Sequence, residues 1–227
     1  MKILAIVPAR SGSKRLPGKN IKILGDKPLI AWTIECAKKI HDICDVIVST
    51  DSTEIADVAK QYGAKVPFIR PAELSTDTAS SADVMLHALG EYERREGFVD
   101  GVMLLQPTSP FRSVDLINRG IQKYQENSKG TIVGVSPVSD HPEWAMKKKG
   151  DLLVPYIAES QSSSRSQDLP EAFVVNGSFY LIEPDLLKKT KKLVNAEIFP
   201  LIISSMEESL DIDDQWDWKI AQMILGN

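Results

Sequence analysis

The stretch from residue 1 to residue 25, MKILAIVPARSGSKRLPGKNIKILG, decides how this chain is read. Ile3 to Val7 form a short apolar run that Pro8 closes at once. Proline cannot donate to a sheet ladder, so the run reads as a buried parallel strand with an abrupt end. Beyond it, Arg10, Lys14, Arg15, Lys19 and Lys22 stand among Ser11, Gly12, Ser13, Pro17 and Gly18, which is five cations and no acid in thirteen residues. A loop at the carboxyl end of a first strand lies where open α/β sheets bind ligands. Small residues let backbone N–H groups approach an anion, and Arg and Lys neutralise it. The segment therefore predicts a loop that grips a polyphosphate. It is not a P-loop, because Gly12 and Gly18 are six apart and Lys19 is followed by Asn20. The dinucleotide fingerprint G-x-G-x-x-G is also absent here.

Composition narrows the class. At 227 residues the chain has room for one sizeable core, read as a single domain over residues 1–227 with a small appended excursion. With 27 basic and 31 acidic residues the net charge is −4, which argues against a general nucleic-acid or membrane-surface protein. Cys36 and Cys44 fit neither a zinc set nor a disulfide framework and read as reduced thiols. No secretory signal precedes the first strand and no apolar run nears membrane-spanning length, so a cytoplasmic protein is expected.

Further along, Pro28 to Ile40 shows helical spacing of apolar residues, and Asp45 to Thr50 reads as a second strand. Ser52 or Thr53 is a candidate cap for the helix EIADVAKQYG, which Gly63 terminates. Asp51 reads best as a turn or N-cap acid at this edge. Strand, helix, strand, helix implies a parallel sheet in an α/β fold. Val66 to Ile69 suggests another short strand, followed by the hydroxyl-rich segment 75–81 and a helix over Val84 to Tyr92. Val102 to Gln106 is a second strongly buried strand. The polar Gln106 closes it where a sheet meets a ligand cleft. Ser113 or Asp115 starts the next helix, and Thr131 to Val135 the next strand. Lys147-Lys148-Lys149-Gly150 reads as a solvated hairpin, and QSSSRSQ (161–167) as a polar lid segment whose one cation is Arg165. None of the three histidines sits beside a plausible nucleophile, which argues against a Ser/His hydrolase. Near the end, SLDIDD offers Asp211 and Asp213. If Leu210 and Ile212 are anchored in a strand, alternation turns both carboxylates to one face, a hard oxygen pair suited to Mg²⁺. D-x-D also occurs in helix caps, and Asp214 is a candidate cap for WDWKIAQMIL.

Taken together, PARSGSKRLPGKN, VSTDSTEIADVAKQYGA, RPAELSTDTASSADV, LLQPTSPFR, LPEAFVVNGSFYL and SLDIDD resemble, in order, the motifs of the cytidylyltransferases that activate sialic acid and related nine-carbon keto acids, including legionaminic acid. The resemblance covers nearly the whole chain. It implies a Rossmann-like nucleotidyltransferase fold with a mainly parallel twisted sheet, and transfer of CMP from CTP to the sugar acid with Mg²⁺. It implies that Arg10, Lys14 and Lys19 neutralise the triphosphate and leaving pyrophosphate. Ser13, Asn20, Arg70 and Ser81 would hold the nucleotide, and Gln106 and Arg165 the acceptor. Asp211 and Asp213 would bind the metal, with Asp211 helping to activate the hydroxyl. Residues 140–175 would form a lid and dimerisation excursion, implying a homodimer.

One departure bears on the substrate. Typical sialic acid enzymes carry Arg-Pro where this chain has Val174-Val175 before Asn176-Gly177, while relatives acting on legionaminic acid also lack that arginine. The alternatives are transfer of another nucleotide, such as from GTP, to a sugar phosphate, and a non-catalytic nucleotide-binding module. The eight-carbon keto acid cytidylyltransferases differ in the early loop.

Overall fold

A computed structural model describes residues 1–127, 130–158, 165–195 and 198–226. In chain order they form β1 (Ile3–Pro8), a short pair β2 (Ile23–Leu24) and β3 (Lys27–Pro28), α1 (Leu29–Lys38), β4 (Ile43–Ser49), α2 (Thr53–Gln61), α3 (Ser81–Glu96), β5 (Gly101–Leu104) and α4 (Val114–Glu126). These are followed by β6 (Thr131–Pro137), the pair β7 (Met146–Lys149) and β8 (Leu152–Pro155), β9 (Phe173–Ile182), α5 (Pro184–Thr190), β10 (Ile198–Ile202) and α6 (Gln215–Ile224). Six strands make the central sheet in the order β10-β6-β9-β5-β1-β4. All its recorded pairings are parallel except those of β9, which runs against both β5 and β6. The expected mainly parallel α/β architecture is the one observed.

β1 sits second from the edge, and its apolar run is buried on both faces. Ile3, Ala5 and Val7 pack with α1, α2 and α4 through Ile30, Ile34, Ile55, Leu116 and Ile121. Leu4 and Ile6 pack on the other face with α3 and α5 through Met85, Leu89 and Leu187. A strand covered by helices on both sides needs an unbroken apolar sequence, which is why ILAIV could be read from the sequence. A third cluster joins the basic loop to the chain's end: Leu16, Leu24 and Leu29 pack with Ile212, Trp218 and Ala221. Residues nearly two hundred positions apart in sequence are thereby held at one sheet edge.

The local signals mostly hold. Ser52 caps α2 by accepting from the Ile55 N–H, Ser113 caps α4 by accepting from Leu116, and Asp214 caps α6 in a reciprocal box with Asp217. Helix α3 begins earlier than its apolar pattern suggests, with Ser80 as its cap.

Two expectations fail. Val66 to Ile69 form no strand; Lys65 makes one isolated bridge to Ile47, and Pro67, lacking an N–H, cannot continue the ladder. Leu210 to Ile212 are likewise not in a strand. Ile212 is anchored instead by its N–H to the Thr108 carbonyl at 2.8 Å and by complete burial.

The hairpin β7–β8 forms a separate two-stranded sheet, as the KKKG turn suggested. Residues 161–164 of the expected lid lie outside the described residues. No helix among the described residues is long and apolar enough to cross a membrane.

Candidate active site

At the carboxyl ends of β1 and β5 lies a cavity of about 560 Å³ lined by Arg10, Ser13, Lys14, Arg15, Lys19, Asn20, Asp77, Gln106, Thr108, Asp211 and Asp213, with Pro8 and Pro107. Most of the residues singled out in the sequence meet here. A neighbouring cavity of about 220 Å³ shares Pro8, Arg10 and Asp77 with it, and adds Arg70 and Ser81. Arg165 is exposed and lines neither cavity, so among the described residues it is not brought together with Gln106.

The basic loop is held by its own small residues. Ser11 donates both its N–H and its hydroxyl to the Asp51 carboxylate, each at 2.8 Å. Burial acts to raise the Asp51 pKa, but these two hydrogen bonds outweigh it and hold the carboxyl below its usual range. Asp51 thus caps no helix, since Ser52 does, and it tethers the loop. The buried Asn20 donates to the Arg10 carbonyl at 3.0 Å, so it too shapes the loop from inside. Gly18, at φ 66°, turns the chain into the short helical turn that carries Lys19 and Asn20. Lys19, only 11% exposed, donates to the Ile212 carbonyl at 2.6 Å and lies 3.4 Å from Asp213. The ammonium is therefore fixed against the segment that carries both candidate metal carboxylates.

Four of the five cations have acidic partners that the local sequence did not disclose, while Lys22 lies over the Trp218 ring. Arg10 pairs with Asp77 at 2.7 Å, and Lys14 pairs with the other oxygen of the same carboxylate. Arg15 lies 3.4 Å from Asp213. Hydrogen bonds from Lys14 and Arg10 push the Asp77 carboxyl down. Asp77 stands where the two cavities meet, so a ligand reaching from one into the other must pass the Arg10–Asp77 pair. The only sequence signal for Asp77 was its place in the hydroxyl-rich segment before α3.

A phosphate at Arg10 and Lys14 has to displace this internal carboxylate, so Asp77→Asn is expected to tighten pyrophosphate binding in EDTA. Exposed pairs are weak, and the gain should be roughly two- to fivefold by calorimetry. Weaker binding in the variant would mean that Asp77 orients the cations rather than competing for them.

Arg70 is buried, and its Nε and Nη2 have no hydrogen-bond partner. Burial lowers its pKa, with Asp51 opposing. Unpartnered buried guanidinium donors are costly, and here they belong to a residue lining the smaller cavity, where a planar ligand edge could accept from them.

Asp211 shows the complementary orphan. Its Oδ1 is buried with no partner. Burial raises its carboxyl pKa, hydrogen bonding from Thr108 lowers it, and the Asp213 charge raises it again. An acceptor oxygen left empty beside a second carboxylate suits a hard divalent cation. Among the described residues no group of three or more His, Cys, Asp and Glu is gathered. Two carboxylates would leave the remaining positions to phosphate oxygens and water, which is the usual arrangement for Mg²⁺. Gly177, at φ 77°, closes this corner: a Cβ there would lie 2.6 Å from Gln106 Oε1 and 3.8 Å from Asp211 Oδ2. Gln106, Gly177 and Asp211 therefore form one wall.

The chain also matches known proteins. The family model described as "Cytidylyltransferase" matches residues 4–194. Over 227 residues the chain is 38% identical to the CMP-N,N'-diacetyllegionaminic acid synthase of Legionella pneumophila, covering 99% of this chain and 97% of that protein. It is 37% identical over 220 residues to the N-acylneuraminate cytidylyltransferase of Escherichia coli O18:K1:H7, covering 97% of this chain and 51% of that longer protein. In three dimensions it resembles a CMP:2-keto-3-deoxy-manno-octonic acid synthetase solved with CTP, with a TM-score of 0.72, 16% identity and coverage of 100% of this chain and 99% of that one. That likeness speaks for the fold.

Proposed function

The chain belongs to the cytidylyltransferase family, and from that premise we propose that it transfers CMP from CTP to the anomeric hydroxyl of a nine-carbon keto sugar acid, releasing pyrophosphate. The observation that carries this reading is the meeting of the basic loop with Gln106, Asp211 and Asp213 in one cavity, beside a second one floored by Arg70. The smaller cavity suits a pyrimidine and the larger suits a triphosphate with the acceptor beyond it.

In this mechanism Arg10, Lys14 and Lys19 release their internal carboxylates and take up the charge of the triphosphate. Arg70 and Ser81 orient the base, while Ser13 and Asn20 keep the loop closed around the phosphates. Gln106 holds the sugar acid against the Gly177 wall. The acceptor oxygen attacks the α-phosphorus in line, forming the new P–O bond as the bond to the β-phosphate oxygen breaks. The acceptor's proton passes towards the Asp211 carboxylate, whose burial favours receiving it. Mg²⁺, held by Asp211 and Asp213, would supply Lewis-acid stabilisation of the charge on the phosphate oxygens. Lys19 neutralises the departing pyrophosphate.

Legionaminic acid is the acceptor we favour. The Legionella synthase matches end to end, and Val174 and Val175 stand exposed on β9 where a sialic acid enzyme would carry Arg-Pro. Incubating the protein with Mg²⁺, each of the four nucleoside triphosphates and a panel of nonulosonic acids, with detection of product by mass, tests the reading. A CMP adduct of N,N'-diacetyllegionaminic acid is the expected dominant product. Product from another nucleotide, or CTP binding without pyrophosphate release, would refute it.

The protein is proposed to work as a homodimer in the cytoplasm. In support, Leu152, Leu153 and Tyr156 stand exposed in and just after β8, and Phe173 and Val174 stand exposed at the start of β9. Arg165 would then serve the neighbouring protomer's acceptor site. Leu153→Lys should sediment as a monomer. It should raise KM for the sugar acid as Arg165→Ala does, with KM for CTP little changed. A dimer that persists with unchanged KM values would remove this arrangement.

A further inference from the structure

Arg112 is 3% exposed, yet the hydrogen-bond partners of its guanidinium are all neutral. A buried charge is costly unless it performs something that a packed apolar residue cannot. Its position shows what that is. β5 and β9 pair antiparallel through Val102 and Ile182, Met103 and Leu181, and Leu104 and Tyr180. Continuing that register would set Gln106 against Ser178, but the ladder stops at Leu104. Beyond it one guanidinium takes both freed carbonyls: Nη2 donates to Gln106 O at 3.0 Å and Nε to Ser178 O at 2.5 Å. Nη1 reaches Thr33 Oγ1 on α1 at 3.4 Å, and that hydroxyl in turn donates to Gln106 O at 3.4 Å.

We infer that Arg112 is a positioning residue that wedges β5 apart from β9 and so builds the acceptor side of the pocket. The wedge satisfies the Ser178 carbonyl and shares the Gln106 carbonyl with the Thr33 hydroxyl and the Ser109 N–H where the sheet splits. It leaves Gln106 and Asp211 lining the cavity with Gly177 close behind both. The far side of the split is braced independently. Asn176 Oδ1 accepts from the Ser178 N–H and hydroxyl, and its Nδ2 donates to Ser136 on β6. Planarity is essential to the wedge, since two carbonyls, one just past β5 and one on β9, must be met by donors in a fixed fork. Burial pushes the Arg112 pKa down to about 10, with the fields of Cys36 and Asp211 opposing, so the side chain stays charged at neutral pH. The nucleotide half of the site, around Arg70 and Ser81, makes no use of this wedge.

This inference rests on the proposed transfer reaction, and its test separates the two. Wild type, Arg112→Lys and Arg112→Met are compared for CTP affinity by calorimetry without acceptor, and for kcat and KM with the sugar acid that wild type uses best. Arg112→Lys keeps charge and stem but meets only one carbonyl, and it guards against a Met variant that fails to fold. The expected result is a graded loss in kcat/KM for the sugar acid, about tenfold for Lys and a hundredfold or more for Met, with CTP affinity within about twofold of wild type. A purely structural role would weaken CTP binding and acceptor use together. That outcome, or full acceptor efficiency in Arg112→Lys, would overturn the wedge. Absence of product from wild type would instead overturn the reaction, and this inference with it.

Discussion

Asp211→Asn is expected to lower kcat by at least about a hundredfold, some 2.7 kcal/mol of transition-state stabilisation, without lowering the melting temperature of the ligand-free protein. The two halves of that expectation come from one atom. Oδ1 is buried without a partner, and the hydrogen bond from Thr108 and the field of Lys19 do not offset the cost of burying the charge. Burial raises the carboxyl pKa in the folded state. The sign follows: a group whose folded pKa lies above its unfolded value of about 3.8 stabilises the fold most below that pH, and the benefit is lost as pH rises through the folded value. At neutral pH the ionised carboxylate therefore opposes folding, and removing its charge is tolerated. Its use is in the loaded site, where a cation and a reacting hydroxyl need it. Asp213, 55% exposed and paired only loosely with Arg15 and Lys19, should show a comparable loss at limiting Mg²⁺ and partial recovery at excess. Turnover near wild type in both variants at limiting Mg²⁺ would show that neither carboxylate serves the metal.

Lys19→Ala should be nearly as damaging, through a different step. The Lys19 side chain is the least exposed of the four cations lining the cavity, at 11%, and a low-dielectric setting strengthens its interaction with phosphate oxygens. Its 2.6 Å bond to the Ile212 carbonyl aims it before any substrate arrives. Preorganised donors of this kind are worth about 10²–10³ in kcat. Because the β- and γ-phosphates are its targets, affinity for CMP should change far less than affinity for CTP. Lys19→Arg should recover part of the rate, since the larger fork cannot keep the same bond to Ile212. Equal losses of CMP and CTP binding with kcat unchanged would place Lys19 at the α-phosphate or outside the reaction.

The two residues were legible in the sequence to different depths. Lys19 announced itself through an acid-free basic loop directly after a buried strand, and Asp211 through D-x-D spacing near the chain's end. Neither pattern disclosed that the two segments touch. Contact between them depends on Leu16, Leu24 and Leu29 packing against Ile212 and Trp218, and an apolar cluster carries no mark of its partners in sequence. Asp51 was read as a turn or cap acid because its neighbours are turn residues. Its tether to Ser11 spans forty residues, which no local pattern reports.

What the sequence by itself determined were features whose energetics are local or periodic. The doubly buried β1 follows from an unbroken apolar run, and the caps were narrowed to Ser52 or Thr53, Ser113 or Asp115, and Asp214 by side-chain oxygens within three residues of orphan N–H donors, the structure selecting Ser52 and Ser113. The ordered motifs pointed to the family. Tertiary structure alone decided which charges face which. It placed Asp77 between Arg10 and Lys14, and Asp213 beside Arg15 and Lys19. It also cancelled the strand expected over residues 66–69, where Pro67 denies the sheet a donor, and it sent Arg112 into the gap between β5 and β9. Coulomb and hydrogen-bond terms act through space rather than along the chain, so their partners emerge only when the core has brought distant segments to one edge.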